Sequence, residues 1–135
     1  MTKTFKFEIV TPEKVVFSDS VQSISAEGTE GGFGVLADHA PLITELRTSI
    51  ITVNDAHNKI VRFALDRGFF EVMSNNAVVL TDACIAEDAV NTEKVRSEKE
   101  AAEKALSGAG TAEEKEKAKA KILKADTWLK LVNKT

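Results

Sequence analysis

The spacing of apolar residues changes at Ile85, and that change restricts the chain to a strand-rich region followed by a helical one. Before it, the period is two. In FKFEIV, Phe5, Phe7 and Ile9 alternate with Lys6 and Glu8, the pattern of a half-buried strand. Thr11-Pro12-Glu13 reads as a turn and Val15-Val16-Phe17 as a second short strand. Ser18-Asp19-Ser20 then interrupts, before Val21, Ser23 and Ser25 alternate with Gln22, Ile24 and Ala26. Gly28 to Gly34 reads as a glycine-rich connection between strands. Further strands are expected at Leu42–Leu46, Ile50–Val53, Ile60–Leu65, Phe69–Met73 and Ala77–Thr81. They are separated by turn chemistry at Asn54-Asp55, Asp66-Arg67-Gly68 and Ser74-Asn75-Asn76. Many short strands at near-regular spacing predict an antiparallel sandwich or flattened barrel. All seven phenylalanines lie before residue 71 and are expected to supply its core.

After Ile85, Ala, Glu and Lys dominate and Trp128 is the last aromatic, which is helix chemistry. Asn91 or Thr92 can cap a helix running to about Leu106, which Ser107-Gly108-Ala109-Gly110 stops. Thr111 with Glu114 makes a capping box for a second helix, to about Val132. Glu100 with Lys104 and Glu113 with Lys117 are spaced for i,i+4 pairs worth ~0.2–0.5 kcal/mol each. The apolar stripe of the second helix is thin: Ala118, Ile122, Ala125, Leu129 and Val132. It faces only Val95, Ala102, Ala105 and Leu106 on the first helix. At about 25 cal/mol per Å2, alanine against alanine buries little. The hairpin is therefore expected to be marginal alone and to leave the β-domain at small cost. The expected division is a β-domain over residues 1–86 and a two-helix domain over 87–135.

Charge follows the same division. The net −3 is the sum of −6 over residues 1–91 and +3 over 92–135. Lys115, Lys117, Lys119 and Lys121 concentrate the excess in the second helix, as a solvated face or as an arm for an acidic surface. No stretch approaches the roughly 18 consecutive apolar residues of a membrane span. MTKTFKFEIV lacks the apolar core of a secretory signal, and a lone Cys84 suits a reducing, cytosol-like compartment.

Catalytic chemistry is poorly supplied. Asp38-His39 could suggest acid–base work, but no serine or cysteine elbow accompanies it. Neighbours in sequence rarely build a triad, and His57 reads as a solvated turn residue. One cysteine and two separated histidines have no metal-ligand spacing, so no metal is expected. Gly31-Gly32-Phe33-Gly34 lacks the Lys-Ser/Thr of a phosphate loop. Its glycines instead suit a bend or bulge. Nucleic-acid binding would need aromatics among the basic residues, where only Trp128 stands. The residues point to a protein that holds partners. A free-standing binding module with a helical adaptor tail and a small hydrolase are two classes to separate.

The run from Glu27 to Thr44, EGTEGGFGVLADHAPLIT, resembles the G-[ST]-E-G-x-[LF]-G-[IV]-L-x-x-H-A-P-L-[LI]-T signature of the epsilon subunit of bacterial and chloroplast F-type ATP synthases. Val10-Thr11-Pro12-Glu13 with Val15-Val16-Phe17-Ser18, Gly68-Phe69-Phe70-Glu71-Val72 and Val78-Val79-Leu80-Thr81-Asp82-Ala83 extend the likeness. The resemblance implies a ten-stranded β-sandwich followed by two helices. It implies a non-catalytic rotor subunit at the cytoplasmic face of a bacterial inner membrane, attached to the membrane only through the complex. The β-domain would bind the gamma subunit and the c-ring, and the hairpin would reach the catalytic alpha and beta subunits and restrain ATP hydrolysis. By carry-over, Glu30, Gly31 and Gly32, with His39, Ala40 and Pro41, become candidates for the c-ring and gamma interface. Many relatives have an acidic residue where this chain has Gly32. Some relatives bind ATP through [IL]-D-x-x-R-A at the start of the first helix. Here Val90-Asn91-Thr92-Glu93-Lys94-Val95 stands there, with Asn91 and Lys94 replacing the aspartate and arginine. Lysine cannot make the planar bidentate contacts of arginine, so weak or no ATP binding is expected.

Overall fold

A computed structural model describes residues 3–133; residues 1–2 and 134–135, the outer ends of the two expected domains, lie outside the described residues. Nine strands come first: β1 (Phe5–Val10), β2 (Val15–Gly28), β3 (Gly31–Leu36), β4 (Leu42–Leu46), β5 (Ser49–Asp55), β6 (Ile60–Leu65), β7 (Gly68–Met73), β8 (Asn76–Thr81) and β9 (Cys84–Ala86). A 3-10 turn at Glu87–Ala89 leads into α1 (Thr92–Ser107) and α2 (Ala112–Val132).

The architecture turns on β2. Its first half pairs with β1 and its second half with β3 and β5, so one bent strand belongs to both layers of a sandwich. One layer contains β4, β7, β8, β1 and the start of β2; the other contains β3, the end of β2, β5, β6 and β9. The expected interruption at Ser18-Asp19-Ser20 does not occur. These residues pair with Glu8, Phe7 and Lys6, and their polarity reflects only that all three are exposed. The period breaks instead at Gln22, where the register against β5 shifts between Val21 and Ser23. This bulge changes the buried set from Val21 to Ile24, Ala26 and Gly28. Nine strands stand where the resemblance implies ten, since β2 does the work of two.

Two further expectations are corrected. The sandwich is not wholly antiparallel, because β1 runs parallel to β8, from Lys6↔Asn76 to Val10↔Leu80. The glycine-rich stretch is not a connection. Gly31 to Leu36 form a strand paired with β2, and only Thr29-Glu30 turn the chain. Gly31 does occupy a bend, at φ 132°, where an L side chain would be strained. Gly68 is needed for a different reason: a Cβ there would lie 2.3 Å from the Leu80 carbonyl oxygen.

A line of aromatic rings crosses the core. Phe63, Phe17, Phe7, Phe70 and Phe33 follow one another at centroid distances of 5.4, 5.8, 6.2 and 5.3 Å. Around them pack Phe5, Ile9, Ile24, Val35, Leu46, Ile51, Leu65 and Val79. Phe69 is the exception to the expected core role, being 55% exposed.

The hairpin lies on the outer face of the second layer. Its caps form as expected. Asn91 Oδ1 accepts from Lys94 N at 3.1 Å, and Thr111 Oγ1 accepts from Glu114 N at 3.1 Å. Glu114 reaches back one residue further than a standard box, accepting from Gly110 N at 3.4 Å. The docking face differs from the expected stripe. Ala118 and Ala125 are buried, but Trp128 and Leu131 anchor the helix, while Ile122, Leu129 and Val132 are only half-buried. Ala125, Trp128 and Leu131 pack with Val95 on Ala64, bordered by Ile50, Ala83, Ile85, Val90 and Leu129. This explains the unbroken burial of Phe63-Ala64-Leu65, a strand covered on both faces. Among the described residues the expected i,i+4 ion pairs are replaced by Lys99–Asp126 at 2.7 Å, which joins α1 to α2.

Candidate functional site

The two signature loops stand at opposite ends of β3. Glu30 occupies the β2–β3 turn, with Gly31 and Gly32 opening the strand, whereas His39, Ala40 and Pro41 follow its far end. Six extended residues separate them by roughly 17–20 Å, so they do not form one compact patch.

At the Glu30 end, Thr29 N donates to the Glu45 carbonyl at 3.0 Å and Arg47 N to the Glu27 carbonyl at 3.2 Å, tying the turn to the end of β4. Gly32 is sterically free to carry a side chain, since a Cβ there meets nothing closer than the Ala26 carbonyl at 3.7 Å. At the His39 end, a clasp organises the loop. Asp38 N donates to Asn75 Oδ1 at 2.6 Å, Asn75 Nδ2 donates to Asp38 Oδ1 at 2.9 Å, and the Lys3 ammonium donates to Asp38 Oδ2. Asp38 and Asn75 both sit at positive φ, 67° and 62°, a conformation these residue types tolerate. The Lys3 and Asn75 hydrogen bonds hold the Asp38 carboxyl below its ordinary value. His39 Nδ1 lies 2.7 Å from the Ala40 carbonyl, so that ring nitrogen serves the turn. Among the described residues no His, Cys, Asp or Glu group can hold a metal.

Sequence reasoning missed the face between these loops. On the layer opposite the hairpin, register aligns Phe69 with Leu80, Leu80 with Val10 and Val10 with Val15 across four strands. Phe69, Leu80 and Val15 are 55%, 51% and 54% exposed. Ile43 and Met73 add exposed apolar surface on β4 and β7. A groove of about 540 Å3 follows the row, walled by Pro12, Glu45, Arg67 and Asp82. Glu45 belongs to both this groove and the Glu30 turn, so the two are continuous. The available signal was Phe69-Phe70: in a strand, one of two adjacent phenylalanines must face outward.

A second groove, about 740 Å3, lies along the hairpin. It brings together Asn91, Lys94, Lys117, Lys121, Lys124 and Trp128 above an alanine floor, with Glu98 and Glu114 on its walls. Lys124 Nζ stands 5.4 Å from the Trp128 ring centroid. Val90 packs against the docking cluster instead. The four lysines of the basic arm divide. Lys117 and Lys121 line the groove, while Lys119 lies 3.9 Å from Glu116, and Lys115 precedes it by one turn.

Comparison with known proteins agrees with this architecture. Residues 4–87 match the family model described as ATP synthase, Delta/Epsilon chain, beta-sandwich domain. The chain is 38% identical over 111 residues to the ATP synthase epsilon chain of Desulforamulus reducens, covering 82% of this chain and 83% of that one. Against the epsilon chain of Rhodospirillum rubrum it is 34% identical over 124 residues, covering 91% and 92%. Among solved structures it superposes on a chain of the Euglena gracilis mitochondrial ATP synthase, OSCP/F1/c-ring, at a TM-score of 0.81 and 17% identity, over 96% of this chain and 82% of that one. A chain of the Tetrahymena thermophila mitochondrial ATP synthase central stalk/c-ring gives 0.62 at 14% identity, over 98% of both.

Proposed function

The chain belongs to the ATP synthase delta/epsilon family, whose epsilon chain is a non-catalytic subunit of the central stalk, and from that premise we propose how it couples and restrains the complex. The apolar row Val15–Val10–Leu80–Phe69 docks on the gamma subunit. It is the observation that carries the proposal, because one sandwich face lies under the hairpin while the other presents large apolar side chains to water. The Glu30-Gly31-Gly32 turn, continuous with that row, meets the c-ring. The His39-Ala40-Pro41 loop, at the far end of β3, meets gamma elsewhere. Rotation of the ring thereby passes through this subunit to the catalytic head. No described helix is long and apolar enough to cross a membrane, and we place the subunit peripherally at the cytoplasmic face of the bacterial membrane.

The hairpin is the regulatory part. Released from the sandwich, its basic arm, Lys115, Lys117, Lys119 and Lys121, reaches acidic surfaces of the alpha and beta subunits and restrains ATP hydrolysis. ATP does not lock it down. Asn91 has committed its carbonyl oxygen to capping α1, and Lys94 offers a point charge where a planar fork would be needed. Micromolar ATP affinity by calorimetry would overturn that statement.

The docking test is a double substitution, Phe69→Glu with Leu80→Glu, in cells assembling the complex. Copurification with gamma should be lost while the strand circular dichroism is kept; retained copurification overturns the assignment. Truncation before Val90 should leave assembly intact and raise ATP hydrolysis, and unchanged hydrolysis would remove the inhibitory role.

A further inference from the structure

Arg62 stands on β6, on the same face as Ala64, where the sheet meets the hairpin. Its Nη2 donates to the Leu131 carbonyl at 2.6 Å. Its Nε lies 3.6 Å from Glu87 Oε1. These partners are the two ends of one excursion of the chain. Glu87 opens the 3-10 turn that leads into α1, and Leu131 belongs to the last turn of α2.

Each contact answers a specific need. The final carbonyls of a helix have no intrahelical partner and carry the negative end of its dipole, so a cation placed there is favourable. The Glu87 carboxylate occupies another edge of the same planar cation. A guanidinium can serve both at once, which a lysine ammonium cannot do with the same geometry. The Arg62 and Glu87 side chains keep 32% and 31% of their surface exposed, so water screens the pair and its rupture leaves no buried charge.

We propose that Arg62 is a clasp that closes the hairpin at both its entry and its exit and sets the balance between docked and released states. The proposal rests on the reading of the hairpin as a detachable arm. Packing of Trp128 and Leu131 supplies the contact area, and Arg62 sets the orientation in which that area is buried. Residues away from the clasp, such as the Lys99–Asp126 pair, hold α1 to α2 and leave α2 on the sheet.

The chain carries its own reporter, since Trp128 is its sole tryptophan. Arg62→Lys and Glu87→Gln are to be compared with wild type by acrylamide quenching of Trp128 and by hydrogen exchange of α2 and of β1, β7 and β8. Arg62→Lys should raise the released fraction about tenfold, the scale of one charge-assisted hydrogen bond, and speed α2 exchange by the same factor. Glu87→Gln should act in the same direction more weakly, and strand protection should not change. Lys99→Ala serves as the control, loosening α1 from α2 with less effect on Trp128. Wild-type quenching and α2 exchange in both clasp variants would overturn the proposal. In the assembled complex, Arg62→Lys should lower ATP hydrolysis. If release increases in the isolated chain while hydrolysis stays the same, the clasp stands and the inhibitory reading fails.

Discussion

The sandwich and the hairpin are held by different means. In the sandwich, five rings in line and the aliphatic side chains around them bury strands from both layers, so no single contact dominates. The hairpin rests on Ala64 through Val95, Ala125, Trp128 and Leu131, with Arg62 at its margin. Distributed burial gives cooperativity, because losing one element exposes its neighbours. A docking contact of a few side chains can open as a unit and leave the rest folded. That difference suits the roles proposed for them, a scaffold that transmits torque and an arm that moves. It can be broken experimentally in order of expected effect.

The largest effect belongs to the sandwich. Phe70 is fully buried between Phe7 and Phe33, and Phe70→Ala should cost about 3–5 kcal/mol, as large-to-small core changes do. Equilibrium denaturation should show one earlier transition in which strands and helices are lost together. A transition that removed strands but spared the hairpin would mean that α1 and α2 fold independently, contrary to their thin stripe.

Leu131→Ala is the counterpart on the arm. Leu131 is fully buried, and losing it should cost about 2–5 kcal/mol of docking, enough to free α2 from the sheet. Because the sandwich core is untouched, the main unfolding transition should move little while Trp128 becomes accessible to quencher. A main transition lowered as far as that of Phe70→Ala would show that the two regions form one cooperative unit.

The uneven legibility of the fold follows from the same contrast. Strands with large side chains on one face announced themselves, as Phe5, Phe7 and Ile9 did, and so did caps, where Asn91, Thr111 and Glu114 act within four residues. Features made by distant partners were silent. The bulge at Gln22 reverses the period inside one strand, where the sequence reads as unbroken alternation from Val21 to Ala26. β3 opens with Gly31, Gly32 and Gly34, which have no side chains and hence no period to read. The parallel pairing of β1 with β8 and the reach of Arg62 to Leu131 have no local signature. The candidate loops were legible as a signature, but their separation along β3 was not, since a strand and a loop of glycines differ there only by pairing with β2. Trp128 was readable in principle, as the one aromatic side chain of the two helices, and Leu131 stands three residues from it on the same face.

Smaller effects separate shape from contact in the Glu30 turn. Gly31→Ala places a side chain at φ 132° and should cost about 1–3 kcal/mol in sandwich stability. Gly32→Glu should leave the melting temperature within about one degree, because its Cβ has room and its strand neighbours stay paired. If Gly32→Glu changes binding to the c-ring while stability stays level, the turn is a contact. If Gly31→Ala alone changes binding, the turn matters through its shape.

The smallest effect is expected from acid at the His39 end, where it asks whether a sandwich loop can loosen as independently as is proposed for the hairpin. The Lys3 hydrogen bond, then that of Asn75, lowers the Asp38 pKa below its ordinary 3.8. A carboxyl whose folded pKa is depressed contributes stability above its unfolded value and loses it as pH falls through the folded one. The clasp should therefore hold from neutral pH to about pH 4, near the unfolded carboxylate value, and weaken only below it. Amide exchange at Asp38 and His39 should report this. In Asp38→Asn the acid response at this loop should disappear. Loosening of the wild-type loop between pH 6 and 5 would assign it to another group.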